Sequence, residues 1–316
     1  MRPIDWLTQV LEVVAALAVA PLFQGWVNQC RAWLQNRRAP PLWQTYRAIR
    51  KLFHKDAVIA TNASPLFRVA PYVVFATMLT AAAVIPSMGT RLPFSPAADA
   101  IALVGLFATA RMFLALAAMD VGTPFGTLGA RREMMVGFLA EPALLMVIFV
   151  AALISSTTAL PAISERLATG PLVLSPSLAF TGVAFTMVLL AENGRLPIDN
   201  PATHLELTMI HEAMLLEYSA RHLALMEFAS ALKLMNYACI GFALFVPWGT
   251  ATSAAGPFAL AAAIPALAVK LVVAGAALAL IETASAKLRV FRAPEFLATA
   301  FLFAVLGMLV HLLLGA

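Results

Sequence analysis

The stretch AENGRLPIDNPATHLELTMIHEAMLLEYSARHLALMEF, residues 191–228, places Glu192, Asp199, Glu206, Glu212 and Glu217 beside His204, His211 and His222. Carboxylates and imidazoles are the side chains that take up and pass on protons near neutral pH. Pro197 and Pro201 bias Leu196 and Asn200 away from helical backbone, so GRLPIDNP is expected to be a broken, extended loop. A helix is expected to resume from Thr203 to Tyr218, putting Glu206 and Glu217 on nearly the same face, about 16 Å apart. HEAML opens like a zinc-binding HExxH, but Leu215 stands where the second histidine is required. A solvated charged loop is the plainer alternative. The interleaved Leu205, Met209, Ile210, Met214 and Leu215 argue instead for burial against a bundle or a partner protein.

Further ionisable residues sit within long apolar runs: Glu12, Arg111, Glu141, Glu227, Lys233 and Lys270, with Glu192 and Glu282 near the ends of theirs. Facing lipid at the bilayer centre, each would cost at least about 2.5 kcal/mol, so they should face the bundle interior or water. Function is the default reading of such residues. The alternative is that Arg111, Lys233 and Lys270 pair with Glu141, Glu227 or backbone carbonyls to fix helix packing. Lys270 lies near the middle of its run and Glu141 about two turns inside another. Burial and neighbouring charge retune proton affinity, which makes both plausible relay stations.

The elements that must carry these groups follow from composition. With 12% charged and 62% hydrophobic residues and a mean hydropathy of +0.88, the chain is too apolar for a soluble domain, where about 25% of residues are charged. Apolar runs occur at 6–29, 66–88, 100–119, 134–156, 173–191, 223–248, 257–281 and 295–315. At about 20 residues per crossing, they read as an all-α, polytopic membrane protein of about eight transmembrane helices in a single domain over 1–316. The first run has acids at Asp5 and Glu12 and no small-residue cleavage site, so it is expected to be a retained membrane helix.

Orientation follows from Lys and Arg. The segment after the first run holds Arg31, Arg37, Arg38, Arg47, Arg50, Lys51 and Lys55, and alternation adds Arg68, Arg131, Arg132, Arg195, Arg221, Lys287, Arg289 and Arg292 to that side. Arg2, Arg91 and Arg166 remain opposite, an excess of fifteen to three. Both termini are therefore expected outside. Cytoplasmic loops are expected at about 30–65, 120–133, 192–222 and 282–294. Leu42, Tyr46, Ile49 and Phe53 recur at helical spacing among basic residues, as in a short amphipathic helix at the membrane surface. The basic residues are explained by topology, so nucleic acid is not an expected partner. Cys30 and Cys239 stand alone and support neither a disulfide framework nor a cysteine-bound cluster. The glycines of DVGTPFGTLGARRE, residues 120–133, match no phosphate-binding fingerprint.

Three places resemble a known family. QNRRAPPLWQTYRAIRKLFHKD, residues 35–56, looks like a basic element that usually reads RRGP, with Ala39 replacing its glycine. GARREMMVGFLAE, residues 129–141, matches a GAxR element carrying Arg132 and, nine residues later, Glu141. ENGRLPIDNPATHLELTMIHEAMLLEYSA resembles an ETNRxPFDLPEAESEL...EYSG loop, which carries over Glu192, Arg195, Pro197, Asp199, Glu206, Glu217, Tyr218 and Ser219. These are elements of the membrane subunit shared by respiratory complex I, as its subunit 1 or H, and the group 4 membrane-bound nickel-iron hydrogenases. The resemblance runs essentially end to end. Ala202 and His204 replace complex I acids, and the interval to EYS is three residues longer. GTPFGTLGARRE and IETASAKLR look closer to the hydrogenase branch, of the formate hydrogenlyase/hydrogenase-4 type.

The resemblance implies a membrane-anchor and proton-coupling subunit that docks a peripheral redox arm and catalyses nothing alone. Glu192, Asp199, Glu206 and Glu217 would line the inner side, with Glu141 in the membrane. Lys233 and Lys270 join this path by inference from burial, not from the motifs. Arg38, Arg132, Arg195 and Tyr218 would meet the arm. The implied partners are hydrogenase-like large and small subunits, an iron-sulfur subunit and antiporter-like membrane subunits. They would carry the nickel-iron centre and iron-sulfur clusters, with no cofactor in this chain. The implied location is a bacterial or archaeal cytoplasmic (inner) membrane. The alternatives are a complex I subunit that forms a quinone site and a free-standing ion transporter. The lack of internal repeats weighs against the transporter.

Overall fold

The computed structural model describes residues 3–94, 97–170, 176–199, 209–252, 257–286, 288 and 292–314. Eleven helices occur among them: α1 (Pro3–Leu34), α2 (Gln44–Phe53), α3 (Pro65–Val84), α4 (Ala100–Asp120), α5 (Pro124–Ser155), α6 (Leu160–Thr169), α7 (Pro176–Glu192), α8 (His211–Leu215), α9 (Ala220–Phe245), α10 (Pro257–Ala284) and α11 (Ala293–Leu314). Seven of them are long and apolar enough to cross a membrane. The remaining expected span is α7, apolar but described over 17 residues. No strand is formed among the described residues, only two isolated bridges.

α9 is the axis of the bundle, with the largest buried share among the seven, and packs on α1, α2, α3 and α6. α4 and α5 pack together, and α5 carries α7 and α11 on its other sides. α10 and α11 are strongly apolar and the least enclosed, turning Val272, Val273, Leu302 and Leu313 outward. Such a surface suits a lipid environment.

α2 forms where amphipathic spacing predicts it, with Ile49 buried and Arg47, Arg50 and Lys51 exposed. At the opposite end of the bundle, Glu12 of α1 has a structural task. One carboxylate oxygen accepts backbone N–H groups from Ser87 (3.3 Å), Met88 (2.8 Å) and Gly89 (2.9 Å), satisfying a buried turn after α3.

Three expectations about the loops are corrected. Residues 120–133 are mostly helix, because Pro124 starts α5 after an extended Thr123. The glycines there permit close packing: a Cβ on Gly126 would overlap the carbonyl of Ala118, and one on Gly129 would crowd Ile210, Ala213 and Met214. The single helix expected over 203–218 is, in its described part, only the short α8. Residues 200–208, and with them Glu206, lie outside the described residues. GRLPIDNP, as far as Asp199, is a run of turns rather than an extended loop. The N–H groups of Ile198 and Asp199 both reach the carbonyl of Arg195, and Ile198 and Asp199 are buried.

Candidate functional site

The buried centre of the bundle is a cluster of five ionisable side chains from four helices. Arg111 of α4, 7% exposed, is its hub. Its Nη1 donates to Oε1 of Glu141 and its Nη2 to Oε1 of Glu192, while its Nε lies 3.4 Å from Oε1 of Glu133. Lys233 of α9 completes the set, with Nζ 3.0 Å from Oε2 of Glu192.

The sequence of α5 explains how the hub fits. Glu133, Gly137 and Glu141 recur every four residues, so they share one face. Gly137 leaves the recess that the guanidinium fills, and a Cβ there would collide with the Arg111 Nη1, Cδ and Cζ atoms. Flanking carboxylates one turn above and below then meet the fork of donors that an arginine presents.

Stripping several charges of water costs several kcal/mol per ion, and only mutual pairing offsets it. Three carboxylates face two cations, so the cluster carries one formal negative charge in excess. An incoming proton would balance that charge, which is the chemistry this arrangement can perform. Glu141 is the most open member, with about a third of its side chain accessible, against 1% for Glu192.

Above the cluster lies a cavity of about 240 Å³, walled by charged and polar residues that include Asn28, Arg31, Glu212, Glu227 and Glu282. A second acid anchors its wall. Glu282 of α10, 2% exposed, lies 2.7 Å from Nη1 of Arg195 and 3.6 Å from Nη1 of Arg31. The loop is further fixed by Asp199, whose Oδ2 accepts from the N–H groups of Ile210 (3.2 Å) and His211 (3.1 Å). Burial pushes the His211 imidazolium below its ordinary range, with Glu133 opposing. Burial, then Asp199, raises the neighbouring Glu212.

Of the expected pathway residues, Glu141, Glu192 and Lys233 meet in the cluster, and Asp199 lines the cavity beside it. Glu217 is exposed outside both. Lys270 stands apart on α10, its ammonium 5.8 Å from the centre of the Phe242 ring. Of the four residues expected at the arm interface, Arg38 is exposed. Arg195 is spent on Glu282, and Arg132 donates to the carbonyl of Met209 at 3.0 Å. Tyr218 is buried, stacked on Phe67 at 4.1 Å, and donates to the carbonyl of Phe67 at 3.1 Å. Burial raises its phenol above the ordinary range.

The sequence offers Arg111 as a partner of Glu141, as found here, but marks Glu282 only as an intramembrane charge and Arg31 only as part of a basic segment, and it does not single out Glu133. Glu133 was obscured because residues 120–133 were read as loop. Once Glu133 is placed on a helix with Glu141, the intervening Gly137 marks the face. Nothing in the local pattern pairs Arg31 with Glu282.

The NADH dehydrogenase family matches residues 7–313. Formate hydrogenlyase subunit 4 of Escherichia coli (strain K12) is 36% identical over 299 residues, covering 94% of this chain and 96% of that protein. Hydrogenase-4 component C of the same organism is 38% identical over 241 residues, covering 76% of this chain and 75% of its own length. A chain in the structure of the membrane-bound sulfane sulfur reductase, an archaeal respiratory membrane complex, shares the fold at a TM-score of 0.82. It is 18% identical and covers 96% of this chain and 98% of its own.

Proposed function

The chain belongs to the NADH dehydrogenase family, and from that premise we propose that it is the membrane-anchor and proton-coupling subunit of a hydrogenase complex of the formate hydrogenlyase/hydrogenase-4 type. The observation that carries this reading is the Arg111 cluster: an unbalanced set of buried charges close to a polar cavity. A purely structural set would be expected to close its charge. The two curated relatives favour the hydrogenase branch over the quinone-site alternative. The charged wall of the cavity also suits water better than an apolar quinone.

In this reading, the face formed by α2, the 193–199 loop and α8 lies on the cytoplasmic side of a bacterial or archaeal inner membrane and receives the peripheral arm, with both termini outside. Arg38, Arg47, Arg50, Lys51 and Glu217 are exposed there for docking. Hydrogenase-like large and small subunits and an iron-sulfur subunit form that arm and carry the nickel-iron centre and the clusters. This chain has two cysteines, buried and free on α1 and α9, not the four thiolates of a cluster. Redox turnover in the arm shifts the 193–199 loop, which alters the field on Glu192 and its partners and moves a proton through the cluster. Glu141, the open member, hands charge sideways toward antiporter-like membrane subunits.

A subunit and metal inventory of the complex extracted in mild detergent tests this. Nickel and a hydrogenase-like large subunit are expected to copurify. Flavin-bearing, NADH-oxidising subunits with extractable quinone would favour the complex I reading, and an isolated active oligomer would contradict both.

A further inference from the structure

A smaller cavity of about 30 Å³ lies between the polar cavity and the cluster, lined by Arg111, Glu133 and Lys233 among others. Three residues line both cavities: His211, Leu215 and Ser230. His211 is the one titratable side chain of the three. Its position is fixed by the bond from its own N–H to Asp199 and by Gly194, where an added Cβ would touch the His211 Cβ. The α9 side of the passage is also polar. Glu227, Ser230 and Lys233 recur every three residues, so one helix face leads from the polar cavity to the cluster.

The geometry points to His211 as the proton-transfer residue that joins the polar cavity to the intramembrane ion cluster. This inference rests on the coupling role proposed above and names the side chain that admits the proton. Imidazole suits the place because it can accept a proton on one ring nitrogen and release the proton of the other, returning as the opposite tautomer with no net change. On the cavity side stand Glu212 and Glu227. On the cluster side stand Glu133 of α5, Glu192 of α7, Lys233 of α9 and Arg111 of α4, with Asp199 of the loop beside the ring. Glu133 lines the smaller cavity together with His211, so the transfer runs from imidazolium to Glu133 and on to the cluster. Burial disfavours the charged ring, so a proton taken up there is passed on rather than held.

The test uses the whole complex in liposomes with an internal pH dye, driven by hydrogen turnover. His211→Ala is expected to lower the rate of proton movement at least about a hundredfold, as for loss of a general acid–base group. Added imidazole should restore transfer. Pyrazole, a ring of the same size but far too weak a base to carry a proton near neutrality, should not. His211→Gln, which keeps a polar side chain of similar reach, should show the same loss. Wild-type transfer in either variant, or equal rescue by both rings, would overturn the assignment. Glu192→Gln run in parallel separates the two levels. If Glu192→Gln fails to move protons while the His211 variants succeed, only the His211 role falls. If Glu192→Gln itself pumps normally, the coupling role of the cluster falls.

Discussion

Arg111 on α4 and Glu192 at the end of α7, 81 residues apart in sequence, are joined by a direct hydrogen-bonded ion pair in the buried centre of the bundle. The pair ties two helices that contribute little else to one another, and it leaves the second carboxylate oxygen of Glu192 to Lys233. Removing one partner of a buried pair costs about 3–5 kcal/mol, because the other charge stays buried and uncompensated. Arg111→Gln is therefore expected to abolish recovery of the intact complex, as read on a native gel after mild extraction.

Gly137 is the recess for that guanidinium. Gly137→Ala should cost about 1–3 kcal/mol, the usual range for overpacking a filled core, and should lower the thermal inactivation temperature of the solubilised complex. Gly105 on α4 is the control, since a Cβ there meets nothing within 4 Å. Gly105→Ala, with free space for the methyl group in a helix interior, should not lower the inactivation temperature.

Tyr218, in the turn between α8 and α9, is held against α3 through its stack on Phe67 and a hydroxyl bond at 3.1 Å. Tyr218→Phe keeps the stack and loses the bond, worth about 0.5–1.5 kcal/mol net. Assembly with the peripheral arm should persist and stability should fall slightly. Loss of the arm without loss of stability would instead mark Tyr218 as a docking residue.

The 209–219 segment should also respond to pH. The folded-state pKa of His211 lies below its unfolded value, so the unfolded chain binds the proton first as pH falls. Stability from this group is complete above the unfolded value of about 6.5 and declines below it. Amide exchange in 209–219, corrected for intrinsic rates, should accelerate as pH falls below about 6.5. His211→Gln should flatten that dependence.

Glu282 holds the loop from α10. Glu282→Gln weakens its grip on Arg195 and Arg31, and with it the nearby bond from the N–H of Leu288 to the carbonyl of Pro197 at 2.9 Å. Faster amide exchange at Ile198 and Asp199 is expected, with α4 and α9 unaffected.

Much of this architecture was legible in the sequence. Apolar runs of crossing length sufficed for the spans, and amphipathic spacing sufficed for α2. Glu141, Glu192 and Lys233 were legible because a charge inside an apolar run is expensive wherever it occurs. Their convergence was not, since it depends on long-range packing that brings α4, α5, α7 and α9 together. The N-terminal part of α5 was misread because its glycines and charges look like loop composition. The glycines are there so that the Ala118 carbonyl, the Arg111 guanidinium and the 210–214 segment can approach. Glu12 shows the opposite error: a buried acid that invites a proton-relay reading serves as a cap for three backbone N–H groups.

The most direct measurement is proton movement per hydrogen turned over in liposomes containing the complete complex, compared between wild type and Glu192→Gln. The substitution keeps the shape of the side chain and leaves Glu133 and Glu141 to balance Arg111 and Lys233, whereas Arg111→Gln leaves three carboxylates facing Lys233 alone. We expect the Glu192→Gln complex to assemble and turn over hydrogen while moving few or no protons. Proton movement equal to wild type in an assembled Glu192→Gln complex would contradict the coupling role of the buried cluster.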